Sequence, residues 1–87
     1  MRYELRIPRK VAKQLASLPA RARSQIVWRV ERLANWPAHG QDVKALRGRL
    51  AGCYRLRCGD YRVLFQVLDD ARVIVIEQVG PRGSVYD

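Results

Sequence analysis

The sequence predicts an α+β domain with the order strand, helix, helix, strand, strand, strand. Three observations carry this. Charged and apolar residues alternate over residues 2–7. Between Arg9 and Asn35 the apolar period lengthens to that of a helix, interrupted once at Pro19. Alternation then returns from Cys53, around a tight Gly59-Asp60 turn, and again from Arg72. A two-helix antiparallel hairpin should therefore cover a three-stranded antiparallel meander that the first strand joins. The 87 residues suffice for one domain, 1–87, with one small core.

Each element follows from its residues. Tyr3, Leu5 and Ile7 point one way and Arg2, Glu4 and Arg6 the other, as in a half-buried strand; Pro8 ends it. From Arg9 to Leu18, Val11, Leu15 and Leu18 recur at helical spacing with Ala12 and Ala16 beside them. Arg9, Lys10, Lys13 and Gln14 are expected on the outer face. Ser17-Leu18-Pro19 breaks this helix. A second one runs from Ala20 to Asn35 on a stripe of Ile26, Val30 and Leu33, flanked by Ala22, Val27 and Ala34. The short turn between them makes the helices antiparallel neighbours. Trp36-Pro37-Ala38-His39-Gly40 reads as a loop with Trp36 packed beneath it. Gln41 to Leu50 is basic through Lys44, Arg47 and Arg49, and reads as a turn of helix or irregular backbone.

Cys53 to Val67 forms two strands around Gly59-Asp60, a two-residue loop of the kind that closes hairpins. That register sets Cys58 opposite Tyr61, Arg57 opposite Arg62 and Arg55 opposite Leu64. Arg55, Arg57 and Arg62 then share one face. Like charges directly opposite are destabilising. The pair implies either an anion that belongs there or a solvated face of a very basic protein. Leu68-Asp69-Asp70-Ala71 is a second turn. Arg72 to Val79 follows as a central strand, with β-branched Val73, Ile74, Val75 and Ile76 in succession. A two-residue turn at Asp69-Asp70 would place Glu77 opposite Arg62 and partly neutralise it. Gly80-Pro81-Arg82-Gly83 bends the chain, and Ser84-Val85-Tyr86-Asp87 follows.

The formal net charge is +9, mostly from arginine. This favours an acidic partner: nucleic acid, a membrane surface or an acidic protein. No apolar run approaches the ~20 residues of a membrane span, and Met1 leads into the first strand without the apolar segment of a signal peptide. A cytoplasmic location is expected. Cys53 and Cys58, on one strand, should point to opposite faces roughly 16 Å apart, too far for a disulfide. With His39 the only histidine, Cys and His make no four-ligand zinc site. A lone loop histidine is more often solvated than catalytic, and no histidine lies near either thiol in sequence to activate it.

What remains for chemistry is arginine and tyrosine. Arg55, Arg57, Arg62 and Arg82 are candidate phosphate contacts, since a guanidinium fork binds phosphate oxygens bidentately and stays charged. Lys44, Arg47 and Arg49 add a basic approach to RNA. Tyr54, Tyr61 and Tyr86 offer rings for base stacking. In RNA cleavage without a metal, the 2′-hydroxyl attacks the neighbouring phosphorus, and clustered cations stabilise the charge that builds on the non-bridging oxygens. An evident general base is missing, because arginine deprotonates too reluctantly and tyrosine titrates near 10.

Leu46-Arg47-Gly48, Cys53-Tyr54-Arg55-Leu56-Arg57, Gly59-Asp60-Tyr61-Arg62-Val63-Leu64-Phe65, Val79-Gly80-Pro81-Arg82 and Val85-Tyr86 together resemble the toxins of RelE/ParE-type toxin–antitoxin pairs, with the RelE branch favoured. The resemblance covers nearly the whole chain. It implies an mRNA endonuclease that enters the ribosomal A site, needs no metal or other cofactor, and leaves a cyclic phosphate. It puts the active-site cations on Arg55, Arg57, Arg62 and Arg82 and the active-site tyrosine on Tyr86. Arg55 and Arg62 would stabilise the transition state. Arg57 stands where a lysine often serves as proposed base, and Arg82 where the proposed acid sits. Arginine replaces lysine at both Arg55 and Arg57, and Pro81 stands where His or Lys is common, so the base is unassigned. The resemblance also implies a cognate acidic antitoxin, forming a toxin–antitoxin hetero-oligomer, alongside the ribosome and mRNA as partners. The alternatives are a ParE-type inhibitor of DNA gyrase and a basic RNA- or ribosome-binding protein without catalysis.

Overall fold

The computed structural model describes residues 2–37 and 40–83. A short strand, β1 (Glu4–Arg6), leads into helices α1 (Arg9–Ala16) and α2 (Ala20–Arg32), and a 3-10 turn at Leu33–Asn35 extends α2. Strand β2 (Val43–Ala45), a second 3-10 turn (Gly48–Leu50) and strands β3 (Cys53–Cys58), β4 (Tyr61–Leu68) and β5 (Val73–Pro81) complete the order. The five strands form one sheet in the order β1-β5-β4-β3-β2. β1 takes the edge beside β5 and runs parallel to it; the other pairings are antiparallel. Among the described residues, no helix is long and apolar enough to cross a membrane.

Two prolines start the helices. Pro8 and Pro19 are extended, and their carbonyls accept the N–H groups of Ala12 and Arg23 at 2.9 Å. A proline there forfeits no helical donor, because the first turn has no intrahelical acceptors for its N–H groups. Ser17 closes α1, its Oγ donating to the Gln14 carbonyl at 2.7 Å. Arg23 reaches back to the Ala16 and Leu18 carbonyls at 3.4 and 3.3 Å, which ties the start of α2 to the end of α1.

The helices lie on one face of the sheet, α1 against β5 and α2 against β3. Val11, Ile26, Val30 and Leu33 meet Leu56, Val63, Phe65, Ile74 and Ile76 there, all buried. Trp36 is half-buried against this core, with its ring edge-on to Tyr54 and Phe65 at 4.9 and 5.5 Å. A smaller cluster of Leu46, Leu64, Leu50 and Cys53 forms apart from this core. Register places it on the opposite face, since Leu64 pairs with Arg55 and Cys53 lies two residues further along β3.

Four expectations change. Gln41 to Leu50 is not irregular throughout, because Val43–Ala45 adds a fifth strand beside β3. Leu68 pairs with Val73, so Asp69 to Arg72 form a four-residue loop rather than a two-residue one. A bulge between Leu64 and Phe65 in the β4–β5 pairing adds one more residue on β5. Together these move the partner of Arg62 from Glu77 to Gly80, and Glu77 falls at the bulge without a direct partner in the register. Gln14 does not simply face outward: its Oε1 accepts the backbone N–H of Val79 at 2.8 Å. The longer loop is anchored from β1, with Tyr3 donating to Asp69 Oδ1 at 2.7 Å and Arg72 set 5.2 Å above the Tyr3 ring.

Candidate functional site

The β3–β4 hairpin holds its sequence-predicted register throughout. Gly59 has φ 59°, the left-handed conformation that a two-residue loop asks of a glycine. Cys58 stands opposite Tyr61, Arg57 opposite Arg62 and Arg55 opposite Leu64. The three arginines therefore share the sheet face turned away from the helices. Arg82 joins them: its backbone N–H donates to the Asp60 carbonyl at 2.8 Å, which pins the end of β5 to the hairpin tip.

The four cations differ in access. Arg57 and Arg82 are exposed, whereas Arg55 and Arg62 are 5% and 3% exposed. Arg62 Nη1 donates to the Gly59 and Tyr61 carbonyls at 2.8 and 3.0 Å, and so braces the turn that sets its own register. Arg55 Nη2 donates to Asp42 Oδ1 at 3.2 Å, and Arg57 Nη1 lies 3.5 Å from Asp42 Oδ2. The backbone completes the arrangement, as Arg57 N–H donates to the Asp42 carbonyl at 2.9 Å. Arg57 thus leans toward Asp42 while Arg62 turns to the hairpin tip, which relieves the repulsion their pairing implies. The anion anticipated between the arginines is in part a side chain of the protein.

Asp42 was not anticipated as a site residue. One signal for it lies in the sequence: it is the only acidic residue between Glu31 and Asp60, in the middle of the basic run. Lys44 pairs with Arg55 and is exposed on the same face. Arg47 and Arg49 are exposed at the Gly48–Leu50 turn, whose Leu50 packs in the small cluster with Leu64, so they border that face. Among the described residues, buried Arg55 Nε has no acceptor.

The tyrosines divide differently. Tyr54 does not stand beside the arginines. Its ring stacks on Phe65 at 5.5 Å on the helix-covered face, as residue alternation next to Arg55 requires. Tyr61 also packs against that core. Neither offers a base platform among the four cations. Tyr86 and His39 lie outside the described residues.

Cys53 and Cys58 are free thiols on opposite faces. Burial pushes Cys58 up to about 11, against the pull of Arg29 and Arg62. Burial, then the charge of Glu77, raises Cys53. Both thiols stay protonated near neutrality and are poor nucleophiles there. A groove of about 430 Å³, lined by Trp28, Arg29, Cys58 and Gly59 among others, lies between α2 and the hairpin tip, on the helix side of the sheet. On the arginine face Lys44, Arg57 and Arg82 are exposed, and such cations can contact the phosphates of a polyanion.

Comparison with known proteins agrees with this architecture. Residues 5–86 match the family described as the ParE toxin of type II toxin–antitoxin systems, parDE. Toxin RelG of Mycobacterium tuberculosis is 31% identical over 87 residues, covering 99% of this chain and 98% of RelG. The toxin–antitoxin complex RelBE2 of the same organism contains a chain that superposes with a TM-score of 0.82 at 30% identity, covering 94% of this chain and 100% of that one. The archaeal RelE–RelB complex of Pyrococcus horikoshii gives 0.80 at 34% identity, covering 98% and 100%. With its fold, its hairpin and nearly its full length accounted for in this way, the chain belongs to the RelE/ParE superfamily of toxins from type II toxin–antitoxin systems.

Proposed function

We propose that this toxin is a ribosome-dependent mRNA endonuclease that cuts in the A site without a metal. The observation that supports it most is the pairing of Arg57 with Arg62, with Arg55 beside them, on the sheet face away from the helices. In this reading the RNA 2′-oxygen bonds to the adjacent phosphorus, the bond to the 5′-oxygen breaks, and a cyclic phosphate remains. Exposed Arg57 and Arg82 contact the phosphate oxygens. Buried Arg55 and Arg62 add positive potential from beneath, where low dielectric strengthens it. Tyr86 stacks on or orients a base. Lys44, Arg47 and Arg49 attract the flanking strand. The 2′-hydroxyl proton passes to solvent water, since these guanidiniums stay protonated and have no free site to accept it, and the departing 5′-oxygen takes a proton from solvent in turn.

A toxin with this charge needs restraint by a partner. A cognate acidic antitoxin, disordered alone and helical when bound, would neutralise part of it in a hetero-oligomer. The RelE–RelB and RelBE2 complexes are precedents for such pairing among the relatives.

The reading is tested by adding purified protein to translating ribosomes and mapping mRNA ends by primer extension. A-site cuts are expected, and Arg62→Ala should relieve growth arrest. Intact mRNA together with no relief by Arg62→Ala overturns it. The match to the ParE family favours one second reading, a gyrase inhibitor that leaves RNA intact. Loss of gyrase supercoiling with uncut mRNA would establish that alternative.

A further inference from the structure

Asp42 is the unexpected member of the arginine face. It lies just before β2, fixed by the 2.9 Å bond from Arg57 N–H to its own carbonyl. Its two carboxylate oxygens address two guanidiniums, Oδ1 that of Arg55 at 3.2 Å and Oδ2 that of Arg57 at 3.5 Å. The two contacts are unequal. The Arg55 side chain is 6% exposed, and a buried cation needs a compensating anion. The Arg57 side chain is 49% exposed and its separation from Oδ2 is longer, so solvent screens that contact and leaves it weak. A phosphate arriving at the face can take Arg57 from Asp42, while Arg55 stays in place.

We infer that Asp42 is a positioning residue whose shared carboxylate fixes Arg55, restrains Arg57 and withholds part of the face's charge from RNA phosphate. Lys44 and Arg62 occupy the same face by register, and Asp42 is the acidic residue that contacts two of its arginines. A charge balance of this kind favours a bound strand that is held in one geometry over one that is merely attracted. The cost is weaker association. Removing the carboxylate charge should therefore tighten RNA binding and slow its cleavage, a split that simple loss of structure does not produce. The cleavage half rests on the endonuclease proposal; the binding half does not.

The test compares the full chain with Asp42→Asn, which keeps an oxygen acceptor for Arg55, and with Asp42→Glu. The probe is an uncleavable 2′-O-methyl single-stranded RNA, titrated by fluorescence anisotropy across a potassium chloride series. Asp42→Asn should bind roughly 3- to 10-fold tighter. Its log–log salt slope should steepen by about 0.7, the value for one further phosphate contact on a single strand. Cleavage on programmed ribosomes should fall at least ~10-fold, in line with the loss of one preorganised group. Asp42→Glu should return both toward wild type. Unchanged or weaker binding by Asp42→Asn overturns the inference, whatever the ribosome assay gives. If the wild type leaves mRNA intact while Asp42→Asn still gains RNA affinity and slope, the endonuclease proposal fails and the charge-withholding role stands. If the wild type cuts and Asp42→Asn cuts equally fast, positioning is refuted and the endonuclease proposal survives.

Discussion

The two faces of the sheet are built from alternate residues of the same strands, yet they follow opposite rules. On the helix-covered face, Leu56, Val63, Phe65, Ile74 and Ile76 are buried without a polar neighbour in the series. On the other face, β3 and β4 present Arg55, Arg57 and Arg62 beside the small apolar cluster around Leu46 and Leu64. Stability resides mainly on the first face. The second keeps charge beside charge at a cost to stability, which a face selected for folding alone would not do. The difference separates what holds the hairpin from what the hairpin displays. Arg62 is the exception that links them, because it braces the Gly59 turn from the charged side.

The largest expected effect breaks the covered face. Phe65→Ala removes a fully buried ring that touches Trp36 and Tyr54. It should cost about 3–5 kcal/mol of unfolding free energy, read from a denaturant titration. In a domain of this size that is a large share of total stability.

Arg62→Ala should show both faces at once. Mapped mRNA cleavage should fall about 10²–10³-fold, equivalent to about 2.7–4 kcal/mol of transition-state stabilisation. The unfolding free energy should drop as well, by roughly 1–3 kcal/mol, because the turn carbonyls lose their donor. A variant that loses neither would place Arg62 outside both the turn and the site.

Gly59→Ala isolates the turn. A Cβ there meets nothing within 4 Å, so only the left-handed backbone opposes it. The expected loss is roughly 1–2 kcal/mol in the same titration. A loss near zero would mean that the tip can relax to another turn type, and with it the register of the arginines.

The smallest effect, over pH 7 to 9, is a pH dependence. Cys58 titrates at about 11 in the folded chain, above the ordinary thiol range. The folded state thus favours the neutral thiol. That contribution is fully present below the unfolded thiol's pKa, ~8.5, and is lost as pH rises toward 11. The difference in unfolding free energy between wild type and Cys58→Ala should be flat from pH 7 to 8 and shrink above pH 9. A difference that grows with pH would contradict the placement of this thiol in the core.

How much of this was legible in the sequence depends on how each part is specified. The arginine register was legible because a two-residue loop leaves no freedom in pairing, and Gly59-Asp60 fixes everything from Cys53 to Gln66. The helix hairpin was legible from its apolar stripe and two prolines. The partner of Arg62 on β5 was not, since it depends on a four-residue loop and a bulge that no local pattern announces. Strand β2 was hidden because three residues are too few to show alternation, and Asp42 was hidden with it. The side of the sheet that Tyr54 takes was legible too, because it neighbours Arg55 and must point to the other face.

In the proposed function the charged face acts on RNA while the covered face holds the fold. Arg57→Ala tests it most directly, because Arg57 is exposed and its contact with Asp42 is weak. Cleavage on programmed ribosomes should fall about 10²-fold or more while the unfolding free energy stays within about 0.5 kcal/mol of wild type. Full cleavage by a variant of unchanged stability would contradict it.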